Sequence, residues 1–287
     1  MRSMLFVPGD RPERFGKAVG SGADAVIFDL EDAVMAAGRP KARHDIAKFL
    51  RDGARTVPLW VRINPIDTDD APLDLAAIGA ARPDGVILPK ARSGVDLELL
   101  DQWLAAIEAE HRFAAGSIKV IALITECAQA VLNVATFGIA PARVTGYSWG
   151  AEDLAADIGA SANRTDDGEF EFTFRLARAS CLLAAAAAGI AAVDTTDIEF
   201  RDVAAVERRA RASRRDGFVG KLAIHPAQIA PIHAAFSPSG AEVEWARRVV
   251  SLLADSHGQG AVALDGKMID RPHLKQAQRI LAALERK

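Results

Sequence analysis

Val120-Ile121-Ala122-Leu123-Ile124-Thr125-Glu126 is an apolar run closed by an acid, and Val144-Thr145-Gly146-Tyr147-Ser148 is the next such run, with Glu152-Asp153 just beyond it. Short runs of this kind suit strands buried on both faces, as in a parallel sheet covered by helices. The pattern recurs at residues 4–7, 25–28, 59–63, 85–88, 192–194 and 221–224, which makes eight candidate strands. Helical patterns fill the intervals at 39–51, 96–111, 127–137, 174–188 and 203–215. Eight strand–helix units in 287 residues favour a closed (β/α)8 TIM barrel over an open doubly wound sheet. No Gly-rich dinucleotide fingerprint follows the first strand, which points the same way.

The barrel is assigned to residues 1–235 and a C-terminal helical extension to 236–287. Phe236-Ser237-Pro238-Ser239 reads as a turn and helix cap before a helix at 241–253. Gly258-Gln259-Gly260, a short apolar stretch and Asp265-Gly266-Lys267-Met268-Ile269-Asp270 follow. A final helix begins near Pro272, with the proline in its first turn. A barrel does not need this tail, so it reads as a brace, a lid or an oligomer contact.

Half the residues are hydrophobic, ample for a large core. The net charge of −3 gives no electrostatic case for nucleic acid. The basic run at Arg208, Arg209, Arg211, Arg214 and Arg215 is interleaved with alanines and reads as a solvated helix face. Cys127 and Cys181 show no metal or redox spacing, so no disulfide and a reducing cytoplasm are expected. No apolar run is long enough to span a bilayer, and the N-terminal segment does not read as a signal peptide.

In a parallel barrel the C-terminal strand ends share one mouth, where such barrels carry their chemistry. Glu126 and Asp153 then stand beside each other, and their oxygens can converge on a hard cation such as Mg²⁺, with Mn²⁺ as the alternative. The second strand ends in Asp29-Leu30-Glu31-Asp32, three acids that repel unless a cation or donors compensate them. The third ends in Val61-Arg62-Ile63-Asn64, where alternation puts Arg62 and Asn64 on one side. An inward arginine needs a carboxylate, a phosphate or a developing oxyanion. Its partner is one of the acids at 29–32, a substrate, or both. The fourth strand leads into Lys90. The eighth leads into His225, which either shuttles protons or makes a fixed strand-end hydrogen bond.

Taken together these strand ends resemble the citrate lyase β-subunit-like branch of the HpcH/HpaI aldolase family, which includes malyl-CoA and citramalyl-CoA lyases. The pieces that carry the resemblance are Arg2-Ser3-Met4-Leu5-Phe6-Val7-Pro8-Gly9-Asp10-Arg11-Pro12, Phe28-Asp29-Leu30-Glu31-Asp32-Ala33-Val34, Val61-Arg62-Ile63-Asn64, Leu88-Pro89-Lys90 and Thr125-Glu126. Trp149-Gly150-Ala151-Glu152-Asp153-Leu154, Gly220-Lys221-Leu222-Ala223-Ile224-His225-Pro226 and Gly266-Lys267-Met268-Ile269-Asp270 continue it almost to the C-terminus. One departure is Ile124-Thr125-Glu126-Cys127, where many citrate lyase β chains carry Ile-Glu-Thr.

The resemblance implies an Mg²⁺-dependent carbon–carbon lyase acting on a 3-hydroxyacyl-coenzyme A thioester such as malyl-, citramalyl- or citryl-CoA. It implies Glu126 and Asp153 as metal ligands, Arg62 at the substrate carbonyl or enolate oxygen, and Arg11 and Lys17 near the CoA phosphates. It also implies Asp270 as the acid–base group, delivered from a neighbouring subunit's tail in a trimer or dimer of trimers. Asp29, Glu31, Asp32, Lys90, Glu152 and His225 form a second tier of site residues. Three other outcomes share these residues: an aldolase acting on a free 2-oxo-4-hydroxy acid, a carrier-dependent subunit of a larger lyase complex, and a thioesterase.

Overall fold

In the computed structural model, which describes residues 1–255 and 260–284, eight parallel strands close in chain order into one barrel. They are β1 (Ser3–Pro8), β2 (Ala25–Asp29), β3 (Leu59–Arg62), β4 (Gly85–Leu88), β5 (Lys119–Leu123), β6 (Val144–Ser148), β7 (Ala191–Asp194) and β8 (Gly220–Ala223), with β8 pairing back to β1. The helices of this part are α1 (Phe15–Val19), α2 (Arg39–Asp52), α3 (Asp70–Gly79), α4 (Gly94–Glu110), α5 (Ala128–Leu132), α6 (Ala151–Ile158), α7 (Phe172–Ala188), α8 (Val203–Asp216) and α9 (Ile229–Phe236).

Strand alternation sorts the side chains. Met4, Ala25, Ile27, Trp60, Ile87, Ile121, Leu123, Val193 and Leu222 form one buried cluster inside the barrel, with Phe6 packed on it. Trp60 fits because its register partner is Gly85, where an added Cβ would lie 2.3 Å from the indole ring. Asp29 follows Ile27 by two residues and Arg62 follows Trp60 by two, so both continue the interior face up to the mouth. They are also register partners on β2 and β3.

Between strands and helices, several buried charged groups are paired. Arg143 forks onto Glu108 at 2.9 and 3.0 Å. Asp194 accepts from Trp149 Nε1 at 2.6 Å and from Arg178 at 3.1–3.2 Å. Arg43 donates to Asp74 at 2.7 Å. Asn64 corrects the alternation argument: its Nδ2 donates to Leu30 O at 3.0 Å and to Asp74 on α3 at 2.8 Å, away from the acids that hold Arg62. β3 ends at Arg62, so the two-residue period no longer applies beyond it.

Two further expectations are corrected. The helix expected over 127–137 breaks after Leu132 into a 3-10 turn at Val134–Gly138. Asn133 and Thr136 there are tied to the start of α4, through Asn133 Nδ2 to Arg92 O at 3.1 Å and Gly94 N to Thr136 Oγ1 at 3.0 Å. The basic run on α8 is not uniformly solvated: Arg209 turns onto the buried carboxylate of Asp197, with 2.8 Å between them.

The chain divides into two compact units, Met1–Ile232 and His233–Lys287. In the second, α10 (Gly240–Ala254), the antiparallel pair β9 (Ala261–Leu264) and β10 (Lys267–Asp270), and α11 (Arg271–Leu284) share a core of Ala246, Val249, Ile269 and Ala277. Ser239 caps α10 in a reciprocal box with Glu242. Asp265 and Gly266 both have positive φ (49° and 75°), the two-residue turn that a right-twisted hairpin requires. The expected loop at Gly258-Gln259 lies outside the described residues. Among the described residues, no helix is long and apolar enough to cross a membrane.

Candidate active site

At the barrel mouth Arg62 forks onto Asp29, Nε to Oδ1 at 2.7 Å and Nη2 to Oδ2 at 2.6 Å. Its Nη1 lies 2.9 Å from Glu31 Oε2 and 3.6 Å from Asp32 Oδ2. The guanidinium sits over the Phe6 ring, 4.9 Å from its centroid. A guanidinium buried this way stays charged and fixed in plane by two carboxylates.

Lys90 links the remaining acids. Its ammonium lies 2.5 Å from Glu31 Oε1, 3.0 Å from Asp153 Oδ1 and 3.2 Å from Asp32 Oδ1. Its backbone N–H donates to Glu126 Oε2 at 2.7 Å. The backbone there is left-handed, φ 52°, a conformation that costs a residue with a Cβ about 1–3 kcal/mol and recurs at functional sites.

Glu126 lies just past β5 and is buried. Its other oxygen, Oε1, rests against Gly150, where an added Cβ would be 2.4 Å away. Gly150 caps α6, whose first turn carries Glu152 and Asp153. Burial first, then the charges of Asp153 and Glu31, push the Glu126 carboxyl well above the usual range. Burial likewise lifts Glu31 to about 7, against the pull of Arg62 and Lys90. Asp32, half-exposed, is held below the ordinary carboxylate range by Arg62 and Lys90, which outweigh its desolvation.

Asp29, Glu31, Asp32, Glu126 and Asp153 thus crowd around Arg62 and Lys90, an excess of negative charge. Glu31 Oε2, Thr125 Oγ1 and Ser148 Oγ are buried there or at the adjoining ends of β5 and β6 without a hydrogen-bond partner. Glu31 Oε2 has its 2.9 Å ion contact with Arg62 but not the alignment of a hydrogen bond. Hard oxygen donors, surplus negative charge and a carboxylate oxygen kept clear by a glycine fit a small divalent cation held by Glu126 and Asp153. Among the described residues no group of three or more His, Cys, Asp or Glu converges as a metal site.

The other candidates make separate contacts. Glu152 is exposed and accepts from Asn163 Nδ2 at 2.7 Å. His225 stacks on Phe200 at 4.4 Å, and its Nδ1 accepts from Ala227 N at 3.2 Å, the fixed strand-end bond. Arg11 and Lys17 are exposed on the segment after β1. Asp270 ends β10, and its Oδ1 lies 2.6 Å from His273 Nδ1. Sequence reasoning passed over this histidine, although the Asp-x-x-His spacing at a helix start marks it. It also passed over the role of Gly150 in leaving room for Glu126.

Comparison with known proteins identifies the family of the chain. The model of the HpcH/HpaI aldolase/citrate lyase family matches residues 2–226, and that of a carbon–carbon bond lyase of the TIM-barrel fold matches residues 183–285. The citrate lyase subunit beta-like protein of Mycobacterium tuberculosis is 39% identical over 96% of this chain and 93% of its own. A (3S)-malyl-CoA thioesterase of Cereibacter sphaeroides is 36% identical over 99% of this chain and 94% of its own. The crystal structure of CitE from M. tuberculosis in complex with magnesium, acetoacetate and coenzyme A superposes with a TM-score of 0.82. That match has 37% identity and covers 99% of this chain and 98% of the other. A closed barrel with its acids, arginine and lysine at one mouth, matched over nearly its whole length, makes this chain a member of the HpcH/HpaI aldolase/citrate lyase family of carbon–carbon lyases.

Proposed function

We propose that this chain is an Mg²⁺-dependent acyl-CoA lyase that cleaves, and in reverse forms, the carbon–carbon bond of a short 3-hydroxyacyl-CoA. The observation that carries this is the site at the mouth, where a buried Glu126, positioned by the Lys90 N–H, adjoins Asp153 and an arginine locked on Asp29. The relatives named for citrate lyase and for malyl-CoA, and the neighbour holding magnesium, acetoacetate and coenzyme A, support the same reading.

Glu126 and Asp153 would hold Mg²⁺, which would supply Lewis-acid polarisation of the oxo acid. The chain's own groups do the rest. In cleavage the 3-hydroxyl gives its proton to solvent water and becomes the carbonyl of the oxo acid, while the acyl α-carbon takes one proton from the protonated Asp270, so no proton is gained or lost overall. The electron pair of the broken bond passes to the acyl α-carbon and its thioester oxygen. Arg62, fixed in plane, stabilises that negative charge as it develops. Asp270 exchanges the proton at the α-carbon, reaching the site from a neighbouring subunit of a homo-oligomer such as a trimer. The cationic groups of Arg11 and Lys17 meet the CoA phosphates.

The test is to incubate the metal-stripped protein, with Mg²⁺ restored, with malyl-, citramalyl-, citryl- and 3-hydroxy-3-methylglutaryl-CoA, and to identify products by mass spectrometry. Metal-dependent release of an acyl-CoA with an equimolar carbonyl product is expected. Free CoA without carbon–carbon cleavage would make the protein a thioesterase. Silence on every ester, with activity on a free 2-oxo-4-hydroxy acid or only with an acyl-carrier partner, would overturn the reading.

A further inference from the structure

Lys90 touches both carboxylates assigned to the metal, through different parts of the same residue. Its backbone N–H holds Glu126 Oε2 at 2.7 Å, while its ammonium lies 3.0 Å from Asp153 Oδ1. The backbone contact leaves Glu126 Oε1 open against Gly150. The ammonium, by contrast, occupies the side of Asp153 with a full positive charge. It is anchored at the same time on Glu31 and Asp32, at 2.5 and 3.2 Å.

Resting on the metal reading above, we infer that the Lys90 ammonium is a built-in competitor for the metal. It holds Asp153 in the metal-free protein and withdraws to Glu31 and Asp32 when the cation binds. The charge pattern requires some such counter-ion. Among the described residues, the ion pairs of Asp29, Glu31, Asp32 and Asp153 run to Arg62 and Lys90, Glu126 accepts from the Lys90 N–H, and Arg62 is committed to Asp29 by both arms of its fork. A divalent cation and an ammonium on one carboxylate repel each other strongly at so short a distance. Glu31 and Asp32 provide the alternative seat, within reach of the same flexible side chain. The device keeps the acid cluster from flying apart before metal arrives, at the cost of weaker metal binding. Its two halves separate cleanly, because Gln or Arg in place of Lys90 retains the backbone N–H that Glu126 accepts.

The experiment titrates Mn²⁺ into the metal-stripped full-length protein, with the free ion followed by electron paramagnetic resonance, for wild type, Lys90→Gln, Lys90→Arg and Glu126→Ala. Lys90→Gln should bind Mn²⁺ about tenfold more tightly than wild type. Lys90→Arg, which retains the charge, should bind no more tightly than wild type. Without metal, Lys90→Gln should melt below wild type, and saturating Mn²⁺ should close most of that gap.

An unchanged or weaker affinity in Lys90→Gln overturns the inference while leaving the metal site standing. Wild type that binds no more Mn²⁺ than Glu126→Ala overturns the metal reading itself, and the inference with it. If Lys90→Gln does not fold, amine acetylation of wild type decides, read peptide by peptide with and without Mn²⁺. Lys90 should become several-fold more reactive with the metal bound, and unchanged reactivity rejects the exchange.

Discussion

Asp29 and Arg62 are register partners on β2 and β3, and they meet as a two-pronged ion pair at 2.6 and 2.7 Å directly above the barrel's apolar interior. The pair fixes the plane of the guanidinium before any substrate arrives. Arg62→Lys should therefore lower kcat by about 10²–10³, since a lysine cannot fill the fork and one lost oxyanion donor costs roughly that much. Circular dichroism should show the fold retained, because the charge is still present for Asp29. Steady-state kinetics on the substrate found in the product screen would check the split between kcat and KM.

The buried Glu31 makes stability depend on pH with a definite sign. Its carboxyl titrates at about 7 in the folded chain, against 4.5 for the ordinary group. Between those values the unfolded chain has lost the proton and the folded chain keeps it, so stability falls as pH rises through the window and levels off above it. Glu31→Gln should flatten that decline, by an amount of order 1–3 kcal/mol. Urea unfolding of the metal-free protein at several pH values from 4.5 to 8 reads the difference. A wild-type curve that rises across the window would contradict the burial argument.

Gly150 is expected to tolerate no side chain. A Cβ there would lie 2.4 Å from Glu126 Oε1, and Glu126 cannot retreat without losing its bond to Lys90 N. Gly150→Ala should cost at least about tenfold in Mn²⁺ affinity, which is ~1.4 kcal/mol, with a smaller change in global stability. Isothermal titration against wild type is the check.

The barrel was legible because most of its strands are short apolar runs, and no tertiary knowledge is needed to see that such runs want burial on both faces. The placement of Glu126, Asp153 and the acids at 29–32 at one edge followed from that alone. What lay beyond reading was set by contacts distant in sequence. Asn64 turns to Asp74 on α3, and residues 133–136 leave the helical path to dock on the start of α4. The β9–β10 hairpin was not read, because its strands are only four residues long, although Asp265-Gly266 is a hairpin turn signal. That Lys90 binds four acids could not be read, because it depends on a left-handed backbone that the sequence Pro89-Lys90 does not announce.

The tail makes a separate prediction. Asp270→Asn should abolish most turnover, and so should Glu126→Ala, each in its own homogeneous preparation. If Asp270 serves a neighbour's mouth, unfolding and refolding the two variants together at equal amounts should restore roughly a quarter of wild-type activity, the share of sites that draw both intact residues. A mixture no more active than its parts would place Asp270 outside the neighbour's site. His273→Asn keeps a polar group where Nδ1 meets Asp270 Oδ1 at 2.6 Å and should retain more activity than His273→Leu.

The most direct test of the whole account is the metal dependence of carbon–carbon cleavage in wild type beside Glu126→Gln, a change that keeps the shape and removes the charge. Wild type, stripped and then given Mg²⁺, should release acyl-CoA and oxo acid in equal amounts, and Glu126→Gln should release neither at any attainable Mg²⁺. Equal cleavage by both proteins, or cleavage by wild type that survives complete removal of the metal, would contradict it.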